Sequence, residues 1–168
     1  MKIISESLIE QAAEMLEISE ESYEQAVGEM QERQPVLLSY FFTENFQVFT
    51  QDEQEYLFYL MLVIWKAISL SGESVPAVTE QQLSQAEDDN WAQVQGIRAK
   101  GFHERLNVFF DNYPQEDLLA FVEDALAEDE EEEDGPVTQE GREALFISLK
   151  TAIDCLTGWS REKVLREK

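Results

Sequence analysis

Residues 50–72 read TQDEQEYLFYLMLVIWKAISLSG, and this stretch decides the fold class of the chain. Thr50 and Glu53 form a capping-box pattern, in which a hydroxyl and a carboxylate three residues apart bind backbone N–H groups at the start of a helix. Residues 56–65 are then apolar without interruption, and Gly72 is placed to end the helix. Because the apolar residues point in every direction, we expect other helices to surround this one.

The apolar run is too short for a membrane span. Residues 56–65 fall well short of the about 20 apolar residues that cross a bilayer, and Asp52, Glu53 and Glu55 precede or adjoin the run. No apolar stretch of signal-peptide length comes before Glu6. We therefore expect a core helix, a cytoplasmic location and no membrane partner.

Patterns typical of amphipathic helices lie on both sides of this segment. Leu8, Ala12 and Leu16 recur at helical spacing. Ser19 is a suitable N-cap for a second helix, and Pro35 suits the first position of a third, whose apolar stripe continues to residue 49. Each pattern predicts a helix with one buried face.

The second half of the chain carries the same kinds of signal. Thr79 and Gln82 repeat the capping-box pattern, Gly101 is predicted to close or bend the helix that they begin, and Gly158 follows the last helix as a terminator. No segment alternates apolar and polar residues with period two. We therefore predict an all-α fold, an irregular bundle of about six to eight helices in a single domain over residues 1–168. The bundle is expected to consist of antiparallel helical hairpins over residues 5–32, 35–71, 79–113 and 115–157.

The charge of the chain limits its partners. The net charge is −24 on 168 residues, yet 43% of the residues are hydrophobic and 11% are aromatic, so the chain has the apolar side chains that disordered acidic segments lack. A protein with a pI of about 4.1 is repelled by phosphate backbones and anionic lipids. Direct binding to nucleic acid is therefore disfavoured, and a basic protein partner is favoured.

The negative charge is unevenly distributed. Residues 115–141 contain 12 acidic residues and no Lys or Arg, and seven of these acids form an unbroken run at 128–134. When the chain is divided into residues 1–34, 35–78, 79–114, 115–141 and 142–168, only the last segment has more Lys and Arg than Asp and Glu. We predict an acidic loop at about 128–136 and a basic C-terminal tail at about 159–168, and we expect the two to lie near each other.

The acidic run also contains candidate metal ligands. If Gly135 takes the sharp-turn position of a twelve-residue calcium loop, Glu130, Glu132 and Asp134 occupy its first, third and fifth ligand positions. Gly141 would then stand where such a loop requires a bidentate glutamate. The alternatives are loose association with divalent cations and a solvated acidic linker.

Signs of catalysis are sparse. His103 is the only histidine and Cys155 the only cysteine; neither belongs to a Glu-x-x-His pattern or a zinc-ligand pattern, and no glycine-rich phosphate loop is present. We expect His103 to be a surface or partly buried residue bonded to a neighbour and Cys155 to be an inert thiol. The remaining catalytic hypothesis is a carboxylate enzyme that uses a divalent metal. Its candidate ligands are Glu87, Asp88 and Asp89 beside Asn90, and Glu123 with Asp124. No cofactor is indicated.

Two tryptophans are candidate interaction residues. Trp91 lies in the most polar predicted helix and Trp159 follows Gly158, so both lie where the sequence predicts few core residues. A small satellite cluster of packed aromatics is the alternative. The sequence favours a non-catalytic cytoplasmic interaction module with an acidic surface and a basic protein partner. A metal-dependent enzyme, a helical bundle that binds a small molecule, and a homo-oligomer stay open.

Overall fold

The computed structural model describes residues 1–42, 48–127 and 139–161. These ranges form eight helices and no strand, which confirms the all-α prediction. The predicted acidic loop and its candidate ligands Glu130, Glu132 and Asp134 lie outside the described residues, as does the tail beyond Arg161. The helices are α1 (Glu6–Glu17), α2 (Glu20–Arg33), α3 (Pro35–Tyr40), α4 (Gln51–Leu70), α5 (Glu80–Gln95), α6 (Phe102–Phe110), α7 (Glu116–Ala127) and α8 (Gln139–Thr157).

The predicted caps begin three of these helices. At α4 the N–H of Glu53 donates to Thr50 Oγ1 over 3.1 Å, and the N–H of Thr50 donates to Glu53 Oε1 over 2.9 Å. Thr79 and Gln82 exchange the same two bonds at the start of α5, over 3.2 and 2.9 Å. Ser19 caps α2 as predicted. These caps satisfy N–H groups that a helix leaves without a partner.

Two glycines end helices in the left-handed backbone conformation that glycine tolerates best. Gly72 follows α4 with φ of 81°, and Gly158 follows α8 with φ of 72°. After Gly158 the N–H of Trp159 donates to the carbonyl oxygen of Asp154 over 3.0 Å, a bond typical of the Schellman motif. Gly158 therefore turns the chain back so that Trp159 lies against α8.

The predicted end of α5 was wrong. The helix stops at Gln95, and Gly101 instead precedes α6. The guanidinium group of Arg105 explains the early stop, because it donates to the carbonyl oxygens of Ile97 and Ala99, each over 3.1 Å, and of Val94 over 3.4 Å. A side chain from the next helix thus replaces the hydrogen bonds that further turns of α5 would have made.

The third helix is shorter than its apolar stripe predicts. α3 ends at Tyr40, and the N–H of Phe41 bonds back to the carbonyl oxygen of Leu38 over 3.2 Å. Of the rest of the stripe to residue 49, residues 43–47 lie outside the described part of the chain. α3 packs against α2 and α5. The bundle is therefore less regular than four consecutive hairpins.

Helix α4 lies at the centre of the packing, as predicted. It contacts α1, α2 and α8, and its residues 60–65 are all at most 2% exposed. The first half of the helix is different, because Tyr56, Phe58 and Tyr59 are only partly buried. None of the helices in the described ranges combines the length and the apolarity needed to cross a membrane.

Two buried glutamines join segments that are distant in the sequence. Gln34, between α2 and α3, donates to the carbonyl oxygen of Pro76 over 2.9 Å and accepts from the N–H of Val78 over 2.8 Å. Gln115 in the same way donates to the carbonyl oxygen of Lys2 and accepts from the N–H of Ile4. Each amide therefore satisfies one donor and one acceptor of an irregular segment.

Replacing Gln34 with alanine tests this role. Gln34→Ala leaves one buried N–H and one carbonyl group without a partner, and we expect it to lower the free energy of unfolding by about 2–4 kcal/mol. Gln31→Ala, at an exposed position of α2, should change it by no more than about 0.5 kcal/mol. Urea denaturation measures both values. Equal effects of the two substitutions would contradict the structural role of Gln34.

Candidate functional site

An ion pair lies in the core of the bundle. Lys150 and Asp154 are one helical turn apart on α8 and are 0% and 2% exposed, and Lys150 Nζ lies 2.9 Å from Asp154 Oδ2. Lysine and aspartate are almost never fully buried unless they are paired. This pair is therefore the least expected feature of a mainly apolar interior.

Two further side chains complete the hydrogen bonds of the pair, and a third is bonded to one of them. Asp154 accepts from Asn90 Nδ2 on α5 over 3.1 Å and from the Tyr113 hydroxyl over 2.5 Å. Lys150 also donates to Asn90 Oδ1 over 2.8 Å, while Asn90 Nδ2 lies 3.1 Å from Thr151 Oγ1. We call these five residues the buried network. It joins α5, α8 and the residues that follow α6.

Aromatic rings enclose the remaining side of the lysine. The Lys150 ammonium lies 5.1, 4.9 and 4.4 Å from the ring centroids of Phe109, Tyr113 and Trp159. Ring faces attract cations, more strongly where water is excluded. Trp159 also meets Tyr113 edge to face, with 5.0 Å between ring centroids. Hydrogen bonds and rings together surround the ammonium group.

Burial controls the protonation of this region. It lowers the pKa of Lys150 and raises the pKa of Asp154, and the attraction between the two charges opposes both shifts. Burial and the Asp154 carboxylate raise the pKa of Tyr113 well above its ordinary value, so this hydroxyl stays a donor. Burial also raises the pKa of the Cys155 thiol to about 12, which makes it a poor nucleophile at neutral pH.

A cavity of about 430 Å³ adjoins the buried network between α5 and α8. We call it the α5/α8 cavity. Ligand sites in proteins commonly have volumes of about 300–1,000 Å³. Lys150 does not line it, so the amine is not positioned to attack a molecule bound there. The lining residues are Gln81, Gln82, Gln85, Ala86, Asp89, Asn90, Asp154, Cys155, Gly158, Trp159, Ser160 and Arg161.

A second concave site of about 460 Å³, here the α1/α4/α7 groove, lies between those three helices. Four exposed carboxylates stand along it, from Glu6 and Glu10 of α1 and from Asp117 and Asp124 of α7. Between them the groove is aromatic and aliphatic. Its other lining residues are Ile9, Ala13, Tyr56, Tyr59, Leu60, Ala120, Phe121 and Ala125.

The structure does not bring the candidate ligands of a divalent metal together. Within the described ranges no group of three or more His, Cys, Asp or Glu side chains is arranged to hold a metal ion. Glu87 lies beside Tyr40, Asp88 is exposed, and Asp89 accepts a hydrogen bond from Gln85 Nε2 over 3.1 Å. The sequence-based hypothesis of a metal site at these carboxylates is therefore unsupported.

The second candidate pair of ligands is also divided. Glu123 contacts Nδ1 of His103, whose side chain is 51% exposed, while Asp124 stands at the α1/α4/α7 groove. The expectation that His103 is a surface residue bonded to a neighbour is confirmed. Glu123 and Asp124 thus have different surroundings, and the described residues supply no third ligand that would make them a metal site.

The two candidate interaction residues occupy different places. Trp91 is partly buried and packs against the core, and Trp159 packs over the buried network at the edge of the α5/α8 cavity. Their role at an interface stays a prediction. Sequence reasoning missed the buried network itself. One signal was present, because Lys150 and Asp154 directly follow Leu149 and Ile153 in the apolar stripe of α8.

Substitutions at the ion pair test whether Lys150 and Asp154 stabilise each other. Asp154→Leu alone leaves a buried ammonium group without its counterion and should lower the free energy of unfolding by about 3–5 kcal/mol. The double variant Lys150→Met/Asp154→Leu removes both charges and should recover the part of that loss that the unpaired ammonium group causes, while Asn90 and Tyr113 still lose an acceptor. Urea denaturation of the single and double variants measures the coupling. If the loss of stability in the double variant equals the sum of the losses in Asp154→Leu and Lys150→Met, the two charges are not coupled.

Tyr113 makes the stability depend on alkaline pH. Because its pKa is raised in the folded state, the fold holds the proton that the unfolded chain releases near pH 10. The contribution is complete below about pH 10 and falls as the pH rises further, by about 1.4 kcal/mol per pH unit. Above pH 10 the free energy of unfolding should therefore fall less steeply in Tyr113→Phe than in the parent chain. Parallel slopes would contradict this prediction.

Comparison of the chain with protein-family models, with curated proteins and with solved structures finds no match. Two places in the described residues have the geometry of a binding site. They are the α1/α4/α7 groove, where acidic residues surround aromatic rings, and the α5/α8 cavity beside the buried network.

Proposed function

We propose that this chain is a non-catalytic cytoplasmic module that binds a basic segment of another protein in the α1/α4/α7 groove. The observation that carries the proposal is the pairing of four exposed carboxylates with an aromatic and aliphatic lining. Lysine and arginine have the complementary form, since each has an apolar stem and a cationic head.

The carboxylates come from two helices that are fixed against each other. The N–H of Glu6 at the start of α1 donates to Asp117 Oδ2 at the start of α7 over 3.1 Å. Gln115 holds the segment that precedes α1 by two further bonds, over 2.9 and 3.0 Å. The acidic residues of the groove are thus part of a preorganised surface, which lowers the entropic cost of binding.

The tyrosines of the groove already use their hydroxyl groups. Tyr56 donates to the carbonyl oxygen of Ala125 over 3.0 Å, and Tyr59 donates to Glu17 Oε1 over 2.7 Å. A partner in the groove would therefore contact the rings of these tyrosines. A cationic head near such rings gains a cation–π attraction in addition to its attraction to the carboxylates. An acidic partner or a nucleic acid would meet only repulsion here.

The charge of the whole chain supports the same proposal. A net charge of −24 attracts a basic partner from a distance, which raises the association rate and makes it depend on salt. The charge also disfavours a symmetric dimer through this groove, because the carboxylates of two copies would face each other. The acidic surface thus steers the encounter and the groove supplies the short-range contacts.

Binding of a labelled oligo-arginine peptide tests the proposal. At low salt, Glu10→Lys/Asp124→Lys should weaken the affinity about tenfold or more, because it reverses two charges at the groove. The control Glu21→Lys/Glu24→Lys makes the same change in net charge at exposed positions of α2 and should weaken it by no more than about threefold. Fluorescence anisotropy of the parent chain and the two double variants at two salt concentrations gives all six affinities.

Two outcomes would overturn the proposal. Equal weakening in the two double variants would show that the peptide responds to net charge alone and not to the groove. No binding at low salt would exclude the acidic surface as a site for basic segments. Circular dichroism of each variant controls for folding, since all four substituted positions are exposed and helical.

A further inference from the structure

The inner wall of the α5/α8 cavity is more polar than core packing requires. Asn90 and Asp154, at 1% and 2% exposure, belong both to this wall and to the buried network. Well-packed apolar residues of similar volume commonly replace a buried ion pair with no loss of stability. A cavity with a few fixed polar groups, in contrast, is typical of a ligand site.

Trp159, which lines the cavity, has a buried donor without a partner in the described part of the chain. The indole nitrogen of Trp159 is buried and has no hydrogen-bond partner among the described residues. More than nine-tenths of buried polar groups in proteins are paired, so an orphaned N–H calls for a specific reason. The Schellman turn at Gly158 and the contacts with Lys150 and Tyr113 hold this ring in place. A ligand oxygen would supply the missing acceptor.

Side chains of opposite charge line the same cavity. Asp89 of α5 is partly buried, and its Oδ1 accepts a hydrogen bond from Gln85 Nε2 over 3.1 Å, which orients the carboxylate. Arg161 contributes an exposed guanidinium group. The Lys150–Asp154 pair adds no net charge to the inner wall. The cavity therefore presents one anionic group and one cationic group to an occupant.

We propose that the α5/α8 cavity binds a small zwitterion, a molecule that carries an ammonium and a carboxylate group, of which α-amino acids are the simplest class. The ligand carboxylate accepts from the Trp159 indole N–H and pairs with Arg161. The ligand ammonium pairs with Asp89. Ala86 and Cys155 supply the less polar surface for the rest of the molecule. This site is separate from the α1/α4/α7 groove and does not depend on the function proposed there.

Thermal unfolding with three matched probes tests the proposal. The standard α-amino acids, each at about 10 mM, should include members that raise Tm by about 2 °C or more, because a ligand that binds only the folded state stabilises it. Propionate and ethylamine, which retain only one of the two charged groups of alanine, should leave Tm unchanged at the same concentration. No shift with any amino acid overturns the proposal, as does an equal shift with either single-charge probe.

Two pairs of variants locate the binding. Asp89→Asn and Arg161→Gln should each abolish most of the amino-acid shift, whereas Asp88→Asn and Arg33→Gln make the same charge changes at exposed positions outside the cavity and should keep it. Trp159→Phe keeps a ring over Lys150 but removes the indole N–H and should reduce the shift. Isothermal calorimetry on the folded variants gives the affinities directly. A shift that survives Asp89→Asn and Arg161→Gln overturns the assignment.

Discussion

Burial of α4 is the constraint on which the rest of the structure depends. The chain must fold against the mutual repulsion of a net charge of −24, and the side chains of residues 60–65 all lie in the core. Each buried Val, Leu or Ile side chain contributes about 1.5–3 kcal/mol, whereas repulsion between exposed carboxylates is weakened by water and salt. Apolar burial therefore decides the fold, and the acidic residues take positions where water reduces their repulsion.

Several buried polar side chains follow a second rule, since hydrogen-bond partners fix their positions. Glu53 is 2% exposed and completes the cap of α4. Asp154 has Lys150, Asn90 and Tyr113 around it. Such contacts add less stability than apolar burial does, but they require one arrangement of the helices. We infer that the buried network fixes how α5 lies on α8, much as polar core residues fix register in coiled coils.

The sequence predicts the local features of this fold well and the tertiary features poorly. The caps at Thr50 and Thr79 and the terminator at Gly158 depend on residues within a few positions, so their patterns were readable. Gly96 directly follows α5, but the contact of Arg105 from the next helix with the last carbonyl groups of α5 cannot be read from the residues near Gln95. The two concave sites also depend on tertiary contacts between distant parts of the chain. Asp154 meets Asn90 across 64 positions, and Glu6 meets Asp117 across 111.

The charge surplus and the fold contribute different parts of the proposed binding surface. The chain has 12 Lys and Arg residues and 36 Asp and Glu residues, so at least 24 carboxylates lack an internal counterion even if every basic side chain pairs with one acid. Attraction for an external cation thus follows from composition and would survive any rearrangement of the helices. The proposed place of closest approach depends on the fold, because the packing of α1 on α4 and α7, with the hydrogen bond from Tyr56 to Ala125, sets Glu10 and Asp124 at the same groove as Tyr56. Composition therefore favours a basic partner, and the docking place that we propose for it depends on the fold.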